Sequence, residues 1–155
     1  MTRIVKKYSE PGKWEVLIPF EKVREEIEWT GVIDARDPGD YELRVVVEHN
    51  VKQTKGRIMI KAVVGKGARV KIKGLVKIGK SAQETDEYLE LRVLMLDKTA
   101  VATVEPELEI EANNVKAGHG ASVGRVDREQ LLYLMSRGLS KDTAEEQIVN
   151  GWLGV

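Results

Sequence analysis

From Pro106 to Ala112 the chain alternates with strict period two. Leu108, Ile110 and Ala112 fall on one side of an extended segment, and Glu107, Glu109 and Glu111 on the other. Shorter β-rich runs of the same kind cover residues 41–48, 57–64, 69–73, 75–78, 88–96 and 100–104. A run at 15–20 reads as an edge strand or a strand end, because Pro19 cannot donate to a ladder. Residues 21–29 fit either a helix or a twisted strand, and Asp37-Pro-Gly-Asp40 is a turn. Gly56, Gly65 and Gly74 punctuate the central runs at even spacing. Such spacing fits a meander, a barrel or the rungs of a parallel β-helix.

Beyond residue 115 the pattern changes. Gly118, Gly120 and Gly124 crowd into nine residues from Lys116, which predicts a glycine-rich bend rather than a regular element. Helical signals follow. Asp127 is an N-cap with Gln130 placed as in a capping box, and Gly138 stands at the C′ position. Ser140 opens a second helix that Gly151 can stop. Leu131, Leu132, Leu134 and Met135 give the first helix a broad apolar stripe, and Ala144, Ile148 and Trp152 continue one on the second. This is more apolar surface than one packing face uses, which points to a partner. Trp14, Trp29 and Trp152 read as core or interface anchors. The division expected is a β core over residues 1–117 and a bend with a helical segment over 118–155.

Charge adds a second layer. The 155 residues have a formal net charge of zero, with 32% charged side chains, so no bulk attraction to nucleic acid or membrane is implied. That neutrality is assembled from blocks. Residues 10–48 carry 11 acidic and 5 basic side chains, residues 52–80 carry 10 basic and no acidic ones, and residues 84–111 carry 9 acidic and 2 basic. Stacked sheet layers with the positive one in the middle explain this. The alternative is a nucleic-acid-binding β protein using the basic 52–80 segment, although that segment lacks interleaved aromatic residues. No apolar run approaches a membrane span, and residues 1–12 have no apolar signal-peptide core, so a cytoplasmic protein is expected.

Chemistry is sparse. Residues 74–81, GLVKIGKS, satisfy the P-loop pattern, and Asp97 ends an apolar run like a second nucleotide motif. The inner residues are strand formers, however, and the gap to Asp97 is too short for a crossover unit. With no cysteine there is no disulfide, thiolate nucleophile or thiolate metal ligand. A zinc or iron site built from His119 with a glutamate such as Glu109 would use imidazole and oxygen ligands. The plainer role of His119 is to hydrogen-bond the glycine stretch. His49 has no evident partner. The two histidines lie far apart, and no nucleophile–base set can be assembled, so no enzyme is proposed.

A resemblance carries more. Pro106-Glu-Leu-Glu-Ile110, Val115-Lys-Ala-Gly-His-Gly-Ala121, Val123-Gly124, Gln130-Leu131, Tyr133-Leu134, Ser136-Arg-Gly138, Ala144 and Gly151 resemble the C-terminal signature of the SufB/SufD family. Its members are scaffold subunits of the SUF iron–sulfur cluster assembly system, and full-length ones are much longer than this chain. The resemblance implies a short right-handed parallel β-helix followed by a C-terminal helical hairpin. It implies a non-catalytic scaffold or interaction subunit that docks a SufC-like ABC ATPase through the C-terminal helices. Leu131, Tyr133, Leu134, Met135 and Arg137 are the contact residues implied. It also implies pairing through the β-helical end, giving a homodimer or a SufB/SufD-like pair in which strands near Thr85–Pro106 or the glycine bend meet the twin. Some members have a cysteine where Ala117 stands, linked to nascent clusters. Without it no resident cofactor is expected, only transient contact with iron or a cluster.

Overall fold

A computed structural model describes residues 1–154 as nine strands followed by two helices. The strands are β1 (Thr2–Tyr8), β2 (Gly12–Phe20), β3 (Glu26–Ala35), β4 (Gly39–His49), β5 (Lys55–Val64), β6 (Ala68–Ile78), β7 (Asp86–Met95), β8 (Val101–Ile110) and β9 (Lys116–Arg125). Odd-numbered strands form one sheet in the order β1-β3-β5-β7-β9, and even-numbered strands a second in the order β2-β4-β6-β8. Every pairing is parallel. The chain therefore winds between two sheets as a β-solenoid, each coil contributing one strand to each.

Period-two alternation places one face of each strand inside. Trp29, Ile58 and Leu89 stack in register on one sheet, and Leu43 and Ile72 on the other, all buried. Gly74 is an inner position where a Cβ would come 2.7 Å from Leu89, so the glycine makes room for that side chain. Residues 74–78 are thus part of β6, and only turns follow before β7. No helix N-terminus meets this P-loop-like stretch, which removes the phosphate cradle.

One corner repeats from coil to coil. Arg24, Gln53 and Glu84 each adopt φ near +60°, in the left-handed region, although none is glycine. Their side chains form a ladder, with Arg24 Nε donating to Gln53 Oε1 at 3.3 Å and Gln53 Nε2 to Glu84 Oε2 at 2.8 Å. Residues 22–25 belong to this corner, which settles the helix-or-strand question at 21–29: a turn, then β3.

Two sequence expectations change. The glycine stretch is not a bend but strand β9, paired with β7 from Asp86↔Lys116 to Met95↔Arg125. Its glycines accommodate a side chain instead of a turn, since a Cβ at Gly120 would lie 2.7 Å from the Tyr88 hydroxyl. The β core consequently runs through Arg125, and the helical segment starts with α1 (Arg128–Ser136) and α2 (Lys141–Leu153). Gly151 does not end α2. Val149 and Leu153 are both seated on the sheet, and Gly154, at φ +73°, takes the left-handed cap. The N-caps at Asp127 and Ser140 and the C′ position of Gly138 are as expected, although Asp127 accepts from the Glu129 amide rather than closing a capping box with Gln130.

Candidate functional site

The helical hairpin packs on the solenoid chiefly through α2. Val149 and Leu153 close over Val32, Val63 and Leu94 on the outer face of the odd-strand sheet. Trp152 lies between two cations, with the Arg92 guanidinium 5.6 Å and the Lys61 ammonium 6.0 Å from its ring centre. Beside this seat, Arg36 binds Asp34 at 2.6 Å and holds its carboxyl below the usual value through that hydrogen bond. The buried face is Ala144, Val149 and Leu153 rather than the Ala144, Ile148 and Trp152 row.

Helix α1 packs on α2 and buries none of its own residues. Its Asp127 cap accepts from the Glu129 amide at 2.9 Å, which fixes where the helix begins. Leu131 and Leu134 are half-buried, whereas Leu132 (53%), Tyr133 (59%) and Met135 (38%) stand exposed. Arg137 is exposed and lies over the Tyr133 ring at 5.5 Å. All five contact residues named from sequence therefore share one helix and its C-cap. Leu132, also part of the apolar stripe, is exposed beside them. A groove of about 530 Å³ between the helices is lined by Gln130, Tyr133, Leu134, Gln147 and Ile148, among others.

The second surface is the C-terminal end of the solenoid. Among the described residues β8 pairs only with β6, and β9 only with β7, so each leaves one edge unpaired. The inner positions Val70, Ile72, Val76 and Ile78 of β6 are buried. Their counterparts Ala102, Val104, Leu108 and Ile110 on β8 are only half-buried or exposed. On β9 the same holds for Ala117, His119, Ala121 and Val123, the last 56% exposed. An apolar coil end thus lies open, with His119 in its face.

His119 and Glu109 stand apart in orientation. His119 continues the inner column of Leu89, whereas Glu109 is beside Lys77 on the outer face of the other sheet. Among the described residues no group of three metal-capable side chains forms. The basic block is interleaved with acid: Lys77 sits between Glu48 and Glu109, and Lys73 binds Glu105 at 3.5 Å. That is the layered arrangement expected from sequence, and it leaves no uninterrupted basic stripe along that column.

A family model described as "SUF system FeS cluster assembly, SufBD core domain" matches residues 18–152. The chain belongs to the SufBD family. Among its relatives, the iron–sulfur cluster assembly protein SufD of Escherichia coli is 37% identical over 106 residues, 68% of this chain and 25% of the relative. Bacillus subtilis SufD is 42% identical over 105 residues, covering 68% and 24%, and SufB of the same organism is 34% identical, covering 68% and 23%. The SufBD chain thus spans about a quarter of the length of the curated relatives it matches. The family match reaches well upstream of the C-terminal signature, into β2. Among the described residues no helix is long and apolar enough to cross a membrane.

Sequence reasoning missed one buried cluster in this SufBD core. His49, Thr54, Thr85 and Glu87 are closed off from solvent inside the solenoid and hydrogen-bonded together. In the sequence His49 has no evident partner. No local pattern pairs it with a glutamate 38 positions away.

Proposed function

We propose that this SufBD chain is a non-catalytic subunit in iron–sulfur cluster assembly, docking a SufC-like ABC ATPase through α1. The observation that carries the reading is a helix with no buried residue whose large apolar side chains face outward beside a groove. Helix-in-groove recognition uses anchors of that type at three- and four-residue spacing. Leu131, Leu134 and Met135 have that spacing, with Tyr133 alongside, and Arg137 adds a charge at the rim. Transient and functional partners, not the fold itself, account for apolar side chains left in water.

The open end of the solenoid is the second contact surface in this reading. A second copy, or a SufB/SufD-like partner, continues the stack over Leu108, Ile110, Ala121 and Val123. His119 then lies within the joint. The cluster is cargo rather than cofactor: with no cysteine, this chain can offer an imidazole but no thiolate, and a partner supplies the remaining ligands. The work is placed in the cytoplasm, where such an ATPase is supplied with nucleotide.

The test is a titration of a SufC-like ATPase against the protein, a Leu134→Asp variant and a Tyr133→Ala variant, with folding checked by circular dichroism. Loss of a central anchor weakens binding by roughly 30-fold. Tyr133 is exposed, so its truncation leaves the hairpin intact. Wild-type affinity in both variants, or no binding by the wild type, overturns the interface.

A further inference from the structure

The buried cluster has a direction. The Thr85 hydroxyl donates to the Ala82 carbonyl at 2.9 Å, so its oxygen accepts from Thr54 at 3.1 Å. The Thr54 hydroxyl is thereby committed to Thr85, and its own oxygen accepts from His49 Nδ1 at 2.7 Å. Nδ1 must carry the hydrogen. On the other side of the ring, Nε2 lies 2.8 Å from Glu87 Oε2, a spacing that requires one proton between them.

Where that proton rests follows from what surrounds the carboxyl. Both side chains are fully buried, and among the described residues Glu87 Oε1 has no protein hydrogen-bond partner. A carboxylate would keep a share of its negative charge on that unpartnered oxygen, whereas a protonated carboxyl leaves only a carbonyl there. The imidazole is stacked on Phe20 at 4.1 Å, on its β2 side. The charged neighbours act in opposite directions, Arg57 favouring the anion and Asp86 opposing it. Arg57 on β5 is bound to Asp86 on β7 at 2.9 Å, and Lys55 and Lys116 flank that same aspartate on β5 and β9. From β4 only His49 itself faces the carboxyl. Burial raises the Glu87 value more than these partners lower it.

We propose that His49 and Glu87 share a single proton resting on the carboxyl, and that this neutral pair is a pH-sensitive lock on the last coils of the solenoid. Releasing the proton leaves a carboxylate facing a bare Nε2. The remaining ring hydrogen then moves from Nδ1 to Nε2, and Thr54 must turn its hydroxyl to Nδ1. That turn breaks the Thr54–Thr85 bond, which ties one coil to the next. The strand above rests on the same residues: Ala117 is in register with Glu87, and the Lys116 amide donates to the Thr85 carbonyl at 2.8 Å. The proton therefore controls the seating of the coil that forms the open end. This inference makes no use of an ATPase or a second subunit.

The sign follows from counting protons. A free carboxyl ionises near ~4.3 and a free imidazole near ~6.5, so above ~6.5 the unfolded chain holds one proton fewer than the folded pair. Stability is level between about 4.3 and 6.5, where both states hold one proton, and is lost above ~6.5 at about tenfold in the folding constant per pH unit, until the pair itself releases the proton. In Glu87→Gln the side-chain amide donates to Nε2 and cannot ionise, so the alkaline loss disappears.

Urea unfolding of the protein and of Glu87→Gln from pH 5 to 9, with protection of the Lys116 amide corrected for intrinsic exchange, tests this. The expected result is an alkaline decline in the wild type in both readouts and none in the variant. Parallel declines in the two proteins overturn the proposal. Nitrogen-15 spectra of wild-type His49 at neutral pH give an answer that needs no variant. A protonated Nδ1 with a bare Nε2 supports the lock. Both nitrogens protonated, or Nε2 alone, refutes it.

Discussion

Gly56→Ala is the most demanding perturbation of the interior. Gly56 stands in register beside Glu87, on the inner face of β5. A Cβ there would overlap Glu87 Oε2 outright and lie 2.6 Å from Cδ and 3.0 Å from Oε1. Non-bonded heavy atoms pack comfortably at about 3.5–4.0 Å, so the carboxyl must retreat by roughly 2 Å. It has nowhere to retreat without leaving His49, because its side chain is closed off from solvent and bonded at 2.8 Å. Overpacking costs about 1–3 kcal/mol, and a buried polar pair pulled apart about 1–3 kcal/mol more. Replacing a strand glycine returns about 0.5–1 kcal/mol of chain entropy. The expected net loss is about 3 kcal/mol, read by urea denaturation with Trp29 fluorescence as the probe. In a Glu87→Ala background the three atoms nearest the added methyl are gone, so most of that loss should vanish, a coupling of about 2 kcal/mol. A loss below about 1 kcal/mol, or additive single effects, would show that the carboxyl is not held where this argument needs it.

Two other outcomes join the ATPase titration and the pH profile. Val149→Asp places a carboxylate against Val32, Val63 and Leu94, at a cost of about 3 kcal/mol confined to the α2 seat. Trypsin should then cut at Arg125 or Arg128 while the solenoid stays folded, and unchanged protease resistance contradicts the seat. The open coil end predicts a dimer by light scattering at high micromolar concentration, reduced to monomer by Val123→Asp. A wild-type monomer under those conditions removes the pairing proposed for β8 and β9.

What the sequence by itself determined was local. Alternation in residues 41–48, 57–64 and 88–96 was legible because each inner face is apolar, whatever its partner strand. The caps at Asp127, Ser140 and Gly138 were legible because capping is satisfied within a turn of the chain. The signature from Pro106 onward indicated the family. The tertiary structure decided whatever depends on the neighbouring coil. Strand β9 looked like a bend because its glycines could not announce that Tyr88 would lie across them. The corner at Arg24, Gln53 and Glu84 uses non-glycine residues in the left-handed region, held by a side-chain ladder between coils. α2 ran past Gly151 because Leu153 had a sheet to meet. His49 and Glu87 were individually unremarkable polar residues until the winding of the chain brought them to 2.8 Å inside a buried core. Local pattern records which side chains a strand can bury, but pairing across coils is a property of register, and register is set only when the sheets close on one another.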